Sequence, residues 1–113
     1  MKIAIPSKGN DLQSEVDERF ARAEGFIIYN DESKDFKFLS NSMSDAHGAG
    51  PKAVQKLVEE GINILIIPGL GNNAFEAIKA SGIKAYFSIK GTVKENLDKY
   101  FEGNLEEISS PTR

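Results

Sequence analysis

His47 is the only histidine in the chain, and so the only neutral nitrogen that a side chain can offer to a metal. It lies in residues 40–50, SNSMSDAHGAG, a run with no helical or strand period that reads as an irregular loop. One imidazole does not close a metal site, so an exposed loop histidine is the plainer reading of His47 and a metal ligand the alternative. Gly48 and Gly50, with the amides that open the helix after them, have the chemistry to hold an anion, because a helix amino end presents unpaired donors and partial positive charge. A second glycine-rich turn, GLGNN, offers the same chemistry through Gly69, Gly71, Asn72 and Asn73. A third polar loop, Ser7, Lys8, Gly9 and Asn10, follows the first apolar run. Arg19 and Arg22 flank Phe20 and can bring positive charge to the same place, although an ion-paired Arg19 beside a core Phe20 is the plainer reading. Asp11, Asp17 and Asp45 read as solvated surface carboxylates. Taken singly, glycine at a turn and asparagine at a cap need no ligand. GLGNNAF also lacks the GxGxxG spacing, and no GK[ST] follows it.

The elements that must position these residues follow from periodicity. Residues 2–5 form a short apolar strand that Pro6 is expected to end, and Ser14 is expected to cap a helical turn over 15–19 with Val16 and Phe20 facing inward. Residues 25–29 and 36–39 read as a hairpin with a loop longer than two residues. Pro51 suits the first position of a helix that buries Val54, Leu57, Val58 and Ile62. Residues 64–67, ILII, form an unbroken apolar run suited to a strand buried on both faces of a parallel sheet, and Pro68 and Gly69 stop it. Asn72 and Asn73 supply cap chemistry for a helix that Gly82 ends with a left-handed cap, and residues 83–87 are the next strand. Thr92 to Glu95 is a capping box opening a last helix that buries Val93, Leu97, Tyr100 and Phe101 and stops at Gly103.

The economical arrangement is an α/β fold: a mixed five-stranded sheet flanked by helices, with the first strand central beside residues 64–67, the hairpin on one side and residues 83–87 on the other. Connections then leave the two central strands in opposite directions. The loops after Ile5 and Ile67 become the walls of a switch-point crevice, and residues 40–50 are placed to cover it.

Composition sets the outer bounds. The 113 residues suit one domain, taken as 1–108 with 109–113 as a loose tail. With 14 Lys and Arg against 17 Asp and Glu, the net charge of -3 and the lack of a basic stripe argue against nucleic acid as a partner. No cysteine is present, which excludes disulfides, thiolate catalysis and cysteine-held clusters. No apolar run is long enough for a signal peptide core or a membrane span, so a cytoplasmic protein with no membrane partner, monomeric or weakly oligomeric, is expected.

Four segments, in order, resemble the dinitrogenase iron-molybdenum cofactor biosynthesis family, the NifX/NifY-like proteins and the carboxy-terminal domain of NifB. They are MKIAIPS at the start, RFARAEGF at 19–26, HGAG at 47–50 and GLGNNAFEAIKASGIKAY at 69–86. The resemblance spans nearly the whole chain. It implies a ribonuclease-H-like α/β motif, in agreement with the topology argued above. It also implies a non-enzymatic carrier or scaffold for an iron–sulfur or iron–molybdenum-type cluster, or its precursor, exchanged with donor and acceptor proteins. Ala21 stands where the family often has glycine, and the radical-enzyme cysteines of full-length NifB are absent, so cluster-building chemistry is not expected of this chain. Two other readings compete: a regulator that binds a nucleotide or small molecule through the same glycine loops, and a metal-dependent hydrolase. The second is disfavoured because neither 2–6 nor 64–67 carries an acidic metal ligand.

Overall fold

The computed structural model describes residues 1–19, 23–40 and 49–111. Within them the order is β1 (Lys2–Ser7), β2 (Gly25–Asn30), β3 (Asp35–Ser40), α1 (Ala49–Glu59), β4 (Ile64–Ile67), α2 (Asn72–Ala80), β5 (Lys84–Phe87) and α3 (Val93–Phe101). The strands form one mixed sheet in the order β3-β2-β1-β4-β5. β2 runs antiparallel to both β1 and β3, while β1, β4 and β5 are parallel. This is the arrangement expected from the sequence, with the two central strands where the apolar patterns put them.

Each strand alternates its side chains between two cores. Ala4, Phe26, Ile28, Leu65 and Ile67 meet Ala53, Val54 and Leu57 of α1 and Ala74, Phe75 and Ile78 of α2 on one face. Ile3, Ile5, Ile27, Ile64 and Ile66 meet Val93 and Leu97 of α3 on the other. All four residues of β4 are buried, as the unbroken run ILII requires. The hairpin loop is held by Asn30, whose carboxamide oxygen accepts the Glu32 and Ser33 N–H groups at 2.9 and 3.3 Å. At the end of α2, Gly82 has φ +77, and the Ile83 and Gly82 amides return to the Ile78 and Lys79 carbonyls at 3.3 and 3.2 Å. That is the left-handed cap the sequence predicts.

Several expectations fail for identifiable reasons. Pro6 does not end β1, which continues to Ser7 with Pro6 opposite Phe26. The Pro6 carbonyl turns away from β2 and accepts the Asp17 N–H at 2.9 Å, so the N–H that proline lacks would have pointed to the same side, where no ladder with β2 needs it. Residues 15 and 16 form bridges to Thr92 and Ser7 in place of a helical turn. α1 begins two residues before Pro51, so Gly50 is its second residue and not part of a loop. Val58 and Phe101 are 42% and 47% exposed, each at the margin of a helix face rather than at its centre. Residues 41–48, which contain most of the expected loop, lie outside the described residues, as do Phe20, Ala21 and Arg22.

Ile66 is fully buried in β4 between neighbouring strands and under α3. Ile66→Ala should therefore cost about 2–5 kcal/mol in urea unfolding, while Val58→Ala should change stability by less than about 0.5 kcal/mol. A comparable small loss in both variants would show that β4 is not the centre of the core.

Candidate functional site

β1 and β4 pair only at Ile3 with Ile64 and Ala4 with Leu65. Beyond that point β1 takes a different neighbour. The Lys8 N–H donates to the Glu15 carbonyl at 3.0 Å, the Asp17 N–H to Pro6, and Ser7 bridges Val16. Residues 12–16 are held on their other side by the amino end of α3, through Val16 N–H to the Gly91 carbonyl, Val93 N–H to Ser14 and Lys94 N–H to Leu12, at 2.9 to 3.0 Å. Where the strands part, a crevice of about 640 Å³ opens at the carboxyl end of the parallel strands. Lys8, Glu15, Val16 and Glu18 form one wall, Pro68 stands at the end of β4, and residues 88–91 beyond β5 form the other wall.

The wall formed by residues 88–91 is fixed by a side chain the sequence does not advertise. Asn96 is fully buried; its carboxamide oxygen accepts the Ile89 N–H at 2.7 Å, and its amide donates to the Ile89 and Thr92 carbonyls at 3.1 and 2.9 Å. All three bonds bind the crevice loop to α3. The predicted capping box is present alongside, with Thr92 Oγ1 accepting the Glu95 N–H and Glu95 accepting the Thr92 N–H. Nothing in the spacing of a polar residue in an amphipathic helix signals such a role, since exposed and pinned asparagines look alike in sequence.

Asp17 is the second feature that sequence reading missed. Expected to be solvated, it is 1% exposed. Arg19 grips it through Nε at 3.0 Å and an outer guanidinium nitrogen at 2.9 Å, and the Arg19 N–H adds a bond at 2.9 Å. Burial by itself would push this carboxyl up. The Arg19 side chain, the Arg19 amide, the Arg19 charge and the Glu24 amide outweigh it and hold Asp17 below the ordinary value of 3.8. Arg19 is thus the clamp of a buried carboxylate within the stretch that forms this crevice wall.

The other sequence candidates fall into distinct places. Lys8 lines the crevice, and Lys90, which was not among them, faces it from the other side with no ion-pair partner among the described residues. Ser7 is buried, and its hydroxyl donates to the Gly9 carbonyl at 2.6 Å, bracing the loop that carries Gly9 and the exposed Asn10. Gly69 follows Pro68, and Leu70 anchors the turn by full burial. Gly71 is the residue before α2 and offers no capping side chain; Asn72 and Asn73 are exposed in the first turn and do not cap it. That leaves the amino end of α2 without a side-chain acceptor from its cap residue, a local source of donors for an anion. Gly50 lies in the first turn of α1. Arg22, His47 and Gly48 lie outside the described residues. Among the described residues no group of three or more His, Cys, Asp or Glu side chains converges as a metal site.

A mixed five-stranded sheet, two helices on one face and one on the other, and a crevice at the carboxyl ends of its parallel strands define a small α/β ligand-binding domain. The chain belongs to the family described as dinitrogenase iron-molybdenum cofactor, whose model matches residues 1–103. It is 30% identical to the uncharacterized protein MJ0580 of Methanocaldococcus jannaschii, covering 96% of this chain and 92% of that one. It is similar in structure to the apo form of the orange protein from Desulfovibrio gigas, with a TM-score of 0.94 and 30% identity over 99% of this chain and 96% of the other. It also resembles TM1290 of Thermotoga, described as a NifB candidate of the DUF35 family, with a TM-score of 0.88 and 52% identity over 99% and 97% of the two chains.

Because the folded protein holds Asp17 below its ordinary value, the clamp contributes fully above pH 3.8 and is lost as pH falls through the lower folded-state value. Asp17→Asn should lower stability near neutral pH by about 1–3 kcal/mol through weakened or unmade hydrogen bonds. The variant should also lose less further stability than the wild type between pH 5 and strongly acidic solution, about pH 2. Urea midpoints measured across that range would run parallel if Asp17 were an ordinary surface carboxylate.

Proposed function

We propose that this protein binds and carries an iron–sulfur or iron–molybdenum-type cluster, or its precursor, between donor and acceptor proteins of cofactor assembly, without turnover of its own. The observation that carries this reading is the crevice at the parting of β1 and β4, in a chain that belongs to a family tied to the iron-molybdenum cofactor of dinitrogenase. Its volume, about 640 Å³, is that of a site for a compact ligand. Lys8 and Lys90 face it from opposite walls, and their charge suits an anionic cargo better than a neutral one. Glu15 and Glu18 on the same wall as Lys8 oppose that attraction, and Glu15 lies 3.7 Å from the Lys8 ammonium. An incoming anion competes with Glu15 for Lys8, which makes binding reversible and sensitive to salt. A preassembled cluster brings its own sulfides and needs few protein ligands; His47 is proposed as the one imidazole anchor, with the amides around Gly48 and Gly50 and those opening α2 as donors.

The strand order β3-β2-β1-β4-β5, with β2 antiparallel to its neighbours, supports a ribonuclease-H-like motif as the ancestry of the sheet. We take residues 1–108 as its single domain and the cytoplasm as its compartment, a reading compatible with a chain that has no cysteine.

Anaerobic titration with an isolated iron–sulfur–molybdenum cluster, followed by absorption and paramagnetic resonance, tests the proposal. The wild type should bind it, and Lys8→Ala with Lys90→Ala should weaken binding by about tenfold, the loss of one or two charge-assisted contacts. His47→Ala should weaken binding and alter the spectrum of the bound cluster. Nucleotides titrated in parallel should show no binding. Failure of the wild type to bind the cluster, or tighter binding of a nucleotide, would overturn the carrier reading.

A further inference from the structure

α3 starts at the crevice and ends, roughly 13 Å further along its axis, beside the amino end of β1. There the Tyr100 hydroxyl comes within 4.0 Å of the Met1 sulfur. All three tyrosines of the chain gather toward this end of the α3 face. Tyr86 and Tyr100 have ring centroids 5.2 Å apart at 72°, Tyr100 and Phe101 5.4 Å apart at 68°, and Tyr29 and Phe101 6.3 Å apart at 65°. Phe36 stands opposite Tyr29 in the β2–β3 ladder and is 40% exposed. The belt is continuous, and its outermost ring, Phe101, remains about half in water. The two exposed rings, Phe36 and Phe101, thus flank the partly buried Tyr29, and apolar surface gathered in one place in this way can serve as a place of contact.

Part of the belt borders an open hollow of about 510 Å³, lined by Met1, Asp31, Tyr86, Tyr100, Phe101 and Leu105. Asp31 is the one carboxylate in that lining. Its partner is Lys34 at 3.1 Å, an ammonium 71% exposed, and such a pair is weak in water and readily exchanged. The field of Asp31 reaches the rings: the Tyr100 hydroxyl is raised above its ordinary value first by burial, then by Tyr86 and Asp31. Aromatic edges and faces around a single carboxylate suit a planar, weakly hydrated cation. A guanidinium stacks on a ring and pairs with a carboxylate at once, whereas an ammonium must shed a tighter water shell to do so.

We propose that this hollow receives an arginine side chain of a partner protein, with apolar side chains of the same segment resting on Phe101 and Phe36. The charge complementarity is local: Asp31 supplies the anion in exchange for Lys34, the Met1 ammonium nearby has Glu32 at 4.0 Å, and the rings supply the apolar walls. This surface is independent of the crevice, and a partner docked here leaves the mouth beside Lys8 and Lys90 open.

The chain has no tryptophan, so its intrinsic fluorescence comes from these three tyrosines alone. N-acetyl-arginine amide, N-acetyl-lysine amide and N-acetyl-leucine amide, titrated into the whole protein, would be followed by tyrosine emission and by the ring signals of Tyr86, Tyr100 and Phe101 in NMR spectra. The arginine amide should shift those signals saturably, the lysine amide should bind more weakly, and the leucine amide should leave them in place. Asp31→Asn should weaken arginine binding by about tenfold, as removal of one charge-assisted contact does, with an unchanged unfolding midpoint. Phe101→Ala should weaken it as well. Equal responses to leucine and arginine amides, unchanged binding in Asp31→Asn, or the absence of any saturable shift would overturn the proposal. So would ring shifts that grow with protein concentration alone, because they would assign the belt to a second copy of this chain.

Discussion

A proline in the central strand decides where the rest of the molecule can open. Pro6 has no N–H to give, and its carbonyl is turned to Asp17, so from that residue onward β1 has no ladder to share with β4. The neighbouring segment fills the lost pairing, with Ser7 bridged to Val16 and Lys8 bonded to Glu15. A buried strand end would otherwise leave carbonyls and amides unmatched. The substitution keeps them satisfied while it pushes the mouths of β1 and β4 apart. The crevice is the space left by that divergence.

Each wall is tied to a core element by hydrogen bonds, one through the buried Asn96 side chain and the other through the backbone beside the buried Asp17. Asn96 ties residues 89–92 to α3, while the Asp17 N–H ties the facing wall to the Pro6 carbonyl of β1 and the buried Asp17 carboxylate is held by Arg19. No buried side-chain nitrogen or oxygen among the described residues lacks a partner. Polar groups placed this way specify one loop conformation, because any slip would leave a buried amide or carboxylate unpaired at considerable cost. The two lysines of the crevice, Lys8 and Lys90, are exposed side chains mounted on backbone held in this way.

The sheet order was legible because it depends on features that act locally or by simple partition. The run ILII reports a strand buried on both faces, the Gly82 and Thr92 signals mark helix ends, and Val54, Leu57, Val93 and Leu97, which the helical periodicity turns inward, are all buried. What escaped notice depends on partners far away in the chain. Whether Pro6 ends a strand is decided by Asp17, and whether Asn96 is exposed is decided by the loop at 89–92. Residues 15 and 16 have a helical pattern that loses to bridges with Ser7 and Thr92, an instance of tertiary contacts overriding weak local preference. Of the crevice lining, Lys8 and Pro68 lie at the strand ends the sequence points to; residues 15–18, read as a helical turn, and residues 88–91 do not, because the five-residue link between β5 and α3 carries no glycine-rich signature beyond Gly91.

β1 is made early and finished late, since Ile3 finds its parallel neighbour only at Ile64. At ribosomal speeds of about 5–20 residues per second, that interval is roughly 3–12 s, during which the hairpin can already cover one side of β1 while the other side has nothing to pair with. A flat strand edge left open for seconds is an invitation to other nascent chains. Here most of that edge is unavailable to them: Pro6 offers no donor, and Pro6 and Lys8 find their partners in residues 15–17, close by in the chain. The residue that parts the two central strands in the finished protein thus also shortens the sticky edge of the growing one to the few positions around Ile3 and Ala4.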